Sequence, residues 1–555
     1  MLRSLGHHGS GEAQTPSGLC LSFLSLRGRV FFLLMLLVAL QTQAAPLGRS
    51  SRDNVLRLAR ANEPPNLDAH LALSLGDWMI VYLLHQTLVD TERYTNNFPL
   101  ACIQWTMPED SRSFECSLKP GVRFSDGTPV TAADYASSLE RIAKPETASW
   151  MNMYLTEIRG YDRFITGQSN HMEGVQALAP DRLRIELNSP DPVFPIWLLA
   201  VGMAVRETRV ADPAINGGTP TAVLGTGPYR LKEWRRGIKI VLEQNPYYLG
   251  PVSNRFDRIE FLIGGNDVTQ LMMFERGELD IANVDGGGVP FAHLSRIAHD
   301  PKWGRLLETI PGVNATFVTI NVEIPPFNDV RVRRALNHAV NKPRRMFTRL
   351  RQFEVARGVL PPTVPGYDPA LRGYAHDPAK ARHLIAESGV KLPVRTQLWH
   401  NDDPMNRLIA AGIQEDLKQV GIEAELRTAS WVAMTALALQ RGKMSLRLDE
   451  WNPMADPKDF ILARFDGRTL TNSSHLNMSF YDSPQVNALI DAAGLTSDRK
   501  ERLALFLKAE KIIVEDAPWI FLAHKNQFLL RQPWIKGDLI DPSGIHRLER
   551  AWMER

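Results

Sequence analysis

Gly121-Val122-Arg123-Phe124-Ser125-Asp126-Gly127-Thr128-Pro129-Val130-Thr131-Ala132-Ala133-Asp134 is the stretch on which the fold assignment turns. Its last four residues have the form of a capping box, with Asp134 in place of the usual Glu, so a helix carrying Tyr135 and Leu139 is predicted to start there. Outward from this point, strand-like and helix-like stretches alternate along the chain, which predicts an α/β or α+β organisation. Asp377-Pro378 reads as an N-cap and first helical residue. The apolar face of that helix is Ala381, Leu384 and Ile385, and Gly389 closes it. A second helix is predicted from Pro404 to Gly421, with Leu408, Ile409, Ile413, Leu417 and Val420 on one stripe. Gly225-Thr226-Gly227-Pro228-Tyr229 is a turn into a strand. It lacks the Lys and Ser/Thr of a phosphate loop, and Pro228 removes an amide donor. Gly286-Gly287-Gly288 is likewise a loop without nucleotide-site context.

The chain has 555 residues, enough for about two to four domains. Apolar residues make up 44% and charged residues 23%, an ordinary globular composition that excludes a disordered chain or a small disulfide scaffold. Net charge is +3, from 64 basic and 61 acidic side chains, so no global field favours nucleic acid or anionic lipid.

One segment departs from this average. Val30 to Leu40 reads VFFLLMLLVAL, Arg27 and Arg29 precede it, and small residues follow to Ala45. As a helix it spans about 16 Å, against roughly 30 Å of membrane hydrocarbon. Basic flank, short apolar core and small-residue exit are the parts of a secretory signal peptide, expected to be residues 1–44; a membrane anchor or buried helix is the alternative. Its removal takes away Arg3, Arg27, Arg29 and Glu12 and leaves a charge of +1. The mature chain is therefore expected to be soluble and exported to the periplasm.

Two cysteines, Cys102 and Cys116, follow this segment. Trp105-Thr106-Met107 and Ser113-Phe114-Glu115, with Pro108-Glu109-Asp110 between them, read as a hairpin. A turn centred on Glu109 would set residue 102 opposite 116. The two thiols either bond or stay as small buried side chains, because a one-residue slip would point them to opposite faces.

The sequence holds no His-Glu-x-x-His, no zinc-spaced Cys pair and no Gly-x-Ser-x-Gly, and His376 and His383 are seven apart, so no metal site, cofactor or catalytic centre is expected. Asp402-Asp403 reads as a solvated loop. Asp449-Glu450-Trp451-Asn452-Pro453 follows a predicted strand, Met444 to Leu448. Carboxylates, an indole and freed backbone groups at a strand end are the materials of a polar ligand site.

The chain resembles the extracytoplasmic solute-binding proteins of peptide-type ABC importers, the oligopeptide/dipeptide-binding family (bacterial solute-binding family 5), from about Leu56 to Gly537. Glu63-Pro64-Pro65-Asn66-Leu67-Asp68-Ala69-His70 is similar to that family's opening motif, and residues 121 to 134 match its "GVKFSDGTPVTAEDV". Gly225 to Tyr229, Gly277-Glu278-Leu279-Asp280-Ile281 and Pro325 to Leu336 resemble its later blocks in order.

The resemblance implies an α/β, two-lobed periplasmic-binding-protein fold with a hinge and an inserted third subdomain. Lobe I would take 45–92, 215–310 and 520–555, the inserted subdomain 93–214, and lobe II 311–519. It implies a monomer that captures a peptide or peptide-like ligand, passes it to membrane permease subunits, and performs no catalysis. The ligand main chain would pair like an added strand with Leu73-Ser74-Leu75 and Glu450-Trp451-Asn452. Trp431 and Trp451 would line side-chain pockets. Where peptide binders carry an ammonium-binding Asp, this chain has Met454. Asp456 and Glu450 are the candidate replacements. A blocked or modified peptide, or a metal chelate, opine or sugar, is the alternative ligand class on the same scaffold.

Overall fold

The structure is a computed structural model that describes residues 54–554 apart from 73, 93–95, 207–222, 251–254, 286–287, 347–351, 453–455, 472–475 and 542. The predicted signal segment, Leu73 and Met454 lie outside the described residues. No described helix is long and apolar enough to cross a membrane.

Three larger sheets organise the chain. In the first, Val55–Arg60 runs parallel to Arg258–Ile263, which pairs in turn with Lys239–Gln244 and Tyr229–Arg235. Leu56, Leu58, Ile259 and Phe261 are buried together beneath the helix Leu75–Leu84. The turn at Gly225 and Gly227 meets the end of that helix: a Cβ on Gly225 would lie 1.8 Å from the Leu84 carbonyl oxygen. Here the small residue is required by close approach rather than by a ligand.

The second sheet is antiparallel, in the order Cys102–Thr106, Ser113–Leu118, Arg182–Glu186, Val175–Ala179. The helix Ala132–Ala143 packs on it and buries Tyr135 and Leu139. At that helix's start the Asp134 carboxylate accepts from the Thr131 N–H at 2.7 Å and its Oγ1 at 2.8 Å.

The hairpin of this sheet carries a Cys102–Cys116 disulfide, Cα atoms 5.7 Å apart. Its register differs from the expected one. Cys102 stands opposite Leu118, and Trp105 opposite Cys116, with an irregularity between Cys102 and Gln104. The extra residue turns Ile103 outward, 56% exposed, while both cysteines stay on the buried face.

The third sheet has the order Leu307–Pro311, Trp519–Leu530, Ala315–Ile320, Leu446–Trp451, Val394–His400, Ile422–Thr428, with Phe353–Val355 also on Trp519–Leu530. The helices Pro378–Ser388 and Pro404–Lys418 flank it. Asp377 and Asp403 accept from backbone N–H groups at their starts, and Gly389 closes the first with φ +74°. Ile409, Ile413 and Leu417 are buried as the spacing predicts, but Leu408 is 56% exposed and lies off the buried stripe.

Trp519–Leu530 is the longest described strand at 12 residues. Its first half pairs with Ala315–Ile320 and its second with Leu307–Pro311. Ile520 and Leu522 join the core around Val318 and Leu336, while Leu529 joins the core of the first sheet. One strand thus stitches two cores together, so the boundary expected at 519/520 falls at the start of a strand that belongs to both.

Candidate functional site

The strand Leu446–Trp451 extends further than predicted and includes Asp449, Glu450 and Trp451, because Ala315–Ile320 holds it through Ala315 opposite Trp451. On its other side, Val394–His400 pairs with Leu446 and Arg447 only. No described strand lies on that side of Leu448 to Trp451. Side chains alternate along it. Leu446 and Leu448 enter the core with Val318, and Glu450 continues that face. Arg447, Asp449 and Trp451 lie on the other.

That second face carries a buried charge cluster. Arg447 Nε and Arg464 Nη1 stand 3.5 and 3.7 Å from the same oxygen of Asp449, with side-chain exposures of 2%, 3% and 0%. The Arg447 guanidinium lies 4.6 Å from the centre of the Trp431 ring, and that of Arg464 lies 4.1 Å from the centre of the Trp451 ring. Trp451 also donates to the Asp459 carbonyl at 3.0 Å. The two predicted pocket tryptophans are therefore tied to one cluster. Trp451 is half-buried, and Trp431 keeps 43% of its surface exposed. Arg447 and Arg464 were not singled out in the sequence. The alternation of Arg447, Asp449 and Trp451 on one strand face is the signal that could have found the first.

Glu450 borders a polar cavity of about 280 Å³, with Asp267, Asn401, Asp403, Lys525 and Gln527 among its walls. Burial pushes the Glu450 carboxyl above its ordinary value, against the opposing pull of Lys525, and the negative charges of Asp403 and Asp449 push the same way as burial. An incoming cation would relieve that penalty.

Ser74 caps the helix Leu75–Leu84. Its Oγ accepts from the Asp77 N–H at 3.1 Å, its own N–H donates to Asp77, and its carbonyl accepts from Asp77 and Trp78. Ser74 is thus committed first to the helix start, and Leu75 is its first residue. Trp150, 38% exposed, donates from Nε1 to the Ala72 carbonyl at 2.8 Å. This indole beside the expected ligand-pairing segment was not identified in the sequence.

Asp456 sits elsewhere in the network. It is 2% exposed, caps the helix Pro457–Phe465 through the Lys458 N–H, and receives Arg502 at 2.7 and 3.0 Å. Both oxygens are occupied and the charge is already neutralised, so the ammonium role considered for Asp456 has no free carboxylate behind it. Of the two candidates, Glu450 has the cavity. Lys458, two residues on, pairs with Asp191 at 2.9 Å. Asn452 donates to the Ser543 carbonyl at 3.1 Å. Among the described residues no group of three or more His, Cys, Asp or Glu is placed to hold a metal ion.

The model for bacterial extracellular solute-binding proteins, family 5 Middle, matches residues 99–473. The probable D,D-dipeptide-binding periplasmic protein of Escherichia coli is 27% identical over 506 residues, 88% of this chain and 92% of that one. Heme-binding protein A of Haemophilus influenzae is 27% identical, covering 80% and 82%. Among solved structures, the clavulanic acid biosynthesis oligopeptide binding protein 2 superposes with a TM-score of 0.79 at 22% identity, covering 90% and 95%. The murein tripeptide binding protein of Escherichia coli gives 0.74 at 22%, covering 91% and 99%. These two structures are alike in fold, a two-lobed periplasmic binding protein.

Proposed function

Since the chain belongs to the bacterial extracellular solute-binding proteins of family 5, which serve peptide-type ABC import, we propose that it is an extracytoplasmic receptor that closes its two lobes on a peptide or peptide-like solute and delivers it to a membrane permease. No bond is made or broken in this role. The observation that carries the peptide reading is the strand Leu446–Trp451, whose backbone from Leu448 onward has no described strand on one side. An extended ligand main chain docking there would gain sheet hydrogen bonds whatever its side chains, and the indoles of Trp431 and Trp451 would then meet those side chains. Glu450 is the carboxylate proposed to hold a ligand cation. Its pKa is raised because burial outweighs the pull of Lys525, and a ligand amine would supply a further counter-charge.

The test is a thermal-shift and calorimetric screen of the purified mature protein against di- and tripeptides. A peptide at a hundred times its Kd should stabilise the protein by about 2.7 kcal/mol. If no short peptide shifts the melting curve or releases heat, the peptide reading is wrong.

A further inference from the structure

The cluster beneath the two tryptophans is not charge-balanced. Two guanidinium groups share one carboxylate, and all three side chains are 3% exposed or less. Burial lowers both arginines, Arg464 to about 10, and a guanidinium in a protein stays cationic at neutral pH. The neighbouring charges are engaged with others. Asp456 is paired with Arg502, Asp191 with Lys458, and Asp466 with Arg468. Asp449 is the carboxylate that raises both arginines, whereas Asp459 acts on Tyr154. Among the described residues neither Arg447 Nε nor Arg464 Nε has a hydrogen-bond partner, and neither does Asp449 Oδ2. Arg447 donates from its two Nη atoms to Met478 Sδ and Thr435 Oγ1, and Arg464 Nη1 donates to the Leu476 carbonyl, all neutral acceptors. One positive charge is therefore in excess, and each indole holds a guanidinium against one face.

This arrangement fixes what the other face of the indoles will tolerate. A ligand ammonium on Trp431 would face a second cation through the ring, while its usual attraction to the π-cloud is already taken by Arg447. A ligand carboxylate in the same place would be drawn by the excess charge. At about 8 Å and an effective dielectric of about 20, the attraction of one unit charge corresponds to roughly thirtyfold in affinity.

We propose that the group seated over Trp431 and Trp451 is an acid, so that the peptide-like solute carries a carboxylate at this end and any amine lies toward Glu450. The inference rests on the peptide reading given above. Two sources of carboxylate fit the chemistry, an acidic side chain and the chain terminus.

Calorimetry with one tripeptide scaffold bearing Glu, Gln or Lys at each position, each with a free or an amidated C-terminus, separates these. The acid is expected to bind at least tenfold more tightly than its amide isostere at one position, and Lys there at least tenfold more weakly than Gln. A side-chain carboxylate shows as a Glu-over-Gln preference that survives amidation. A terminal carboxylate shows as loss of the preference on amidation. Asp449→Asn, which leaves two arginines without a counter-charge, should enlarge the preference by about tenfold. The wild-type peptide series stands even if that variant folds poorly. Peptides that bind equally whatever their charge overturn this inference and leave the receptor reading intact. Failure of every peptide to bind removes the peptide reading, and this inference with it.

Discussion

Replacing Asp456 by Ala separates a structural role for this carboxylate from a ligand-binding one. Arg502 is left behind with 2% side-chain exposure and no bidentate partner. Breaking a buried pair by removing one member costs about 3–5 kcal/mol, because the survivor is an uncompensated buried charge. Loss of the cap on the helix Pro457–Phe465 adds about 1 kcal/mol. Asp191 also raises the Arg502 pKa, so part of the stranded charge remains screened and the total should fall near the lower bound, about 4 kcal/mol. Adding Arg502→Met should restore most of this and leave the roughly 1 kcal/mol that belongs to the cap. The assay is urea unfolding followed by tryptophan fluorescence, with peptide affinity measured on the same samples. Affinity should change by less than threefold while stability falls. A large loss of affinity for cationic peptides at unchanged stability would refute the reasoning and return Asp456 to the ligand.

Other perturbations test separate parts of the structure. Glu450→Gln should weaken a cationic peptide by about thirtyfold, roughly 2 kcal/mol, and spare a neutral one; equal effects on both would exclude an anchor role. Because the Glu450 carboxyl is raised, affinity for that cation in the wild type should fall with decreasing pH, beginning above the ordinary carboxylate range. Glu510 accepts from the Val359 and Leu360 N–H groups, and burial lifts it to about 7. Between the ordinary Glu value and about 7 the folded state holds a proton that the unfolded state has lost, so stability declines as pH rises through that window, by roughly 3 kcal/mol in all. Glu510→Gln should flatten the decline in urea melts between pH 5 and pH 8. Reducing Cys102–Cys116, which closes a loop of 14 residues' separation, should cost about 3 kcal/mol at the hairpin, read from urea melts with and without reductant.

The parts of the fold that could be read from the chain are those whose causes are local. Asp377-Pro378 announces a helix start because cap and first residue are adjacent, and the structure places both there. Asp456-Pro457 carries the same signature and has the same outcome. The cap role of Asp456 was legible from that adjacency, whereas its pairing with Arg502, 46 residues on, was not. The hairpin was legible but its register was not, because the irregularity at Ile103 is set by pairing across the sheet. The strand through Trp451 outran its predicted end for a similar reason: its partner, Ala315, is far away in sequence. The two tryptophans were legible as a pair. Their arginines were not, since Arg464 reaches the cluster from the helix Pro457–Phe465 and no strand or helix period connects it to Asp449.

The strand Trp519–Leu530 bears on the order in which the molecule can be built. It is the next-to-outermost strand of the third sheet and supplies side chains to two cores, yet its partners Leu307–Pro311 and Ala315–Ile320 lie far earlier in the chain. The first strand, Val55–Arg60, likewise waits for Arg258–Ile263. Pairings between such distant segments are slow, because the entropy of closing the intervening chain is spent before any contact forms. A nascent chain that has not yet made residue 530 cannot complete either core. The two cores that this strand feeds therefore reach full packing together, once Trp519–Leu530 has docked.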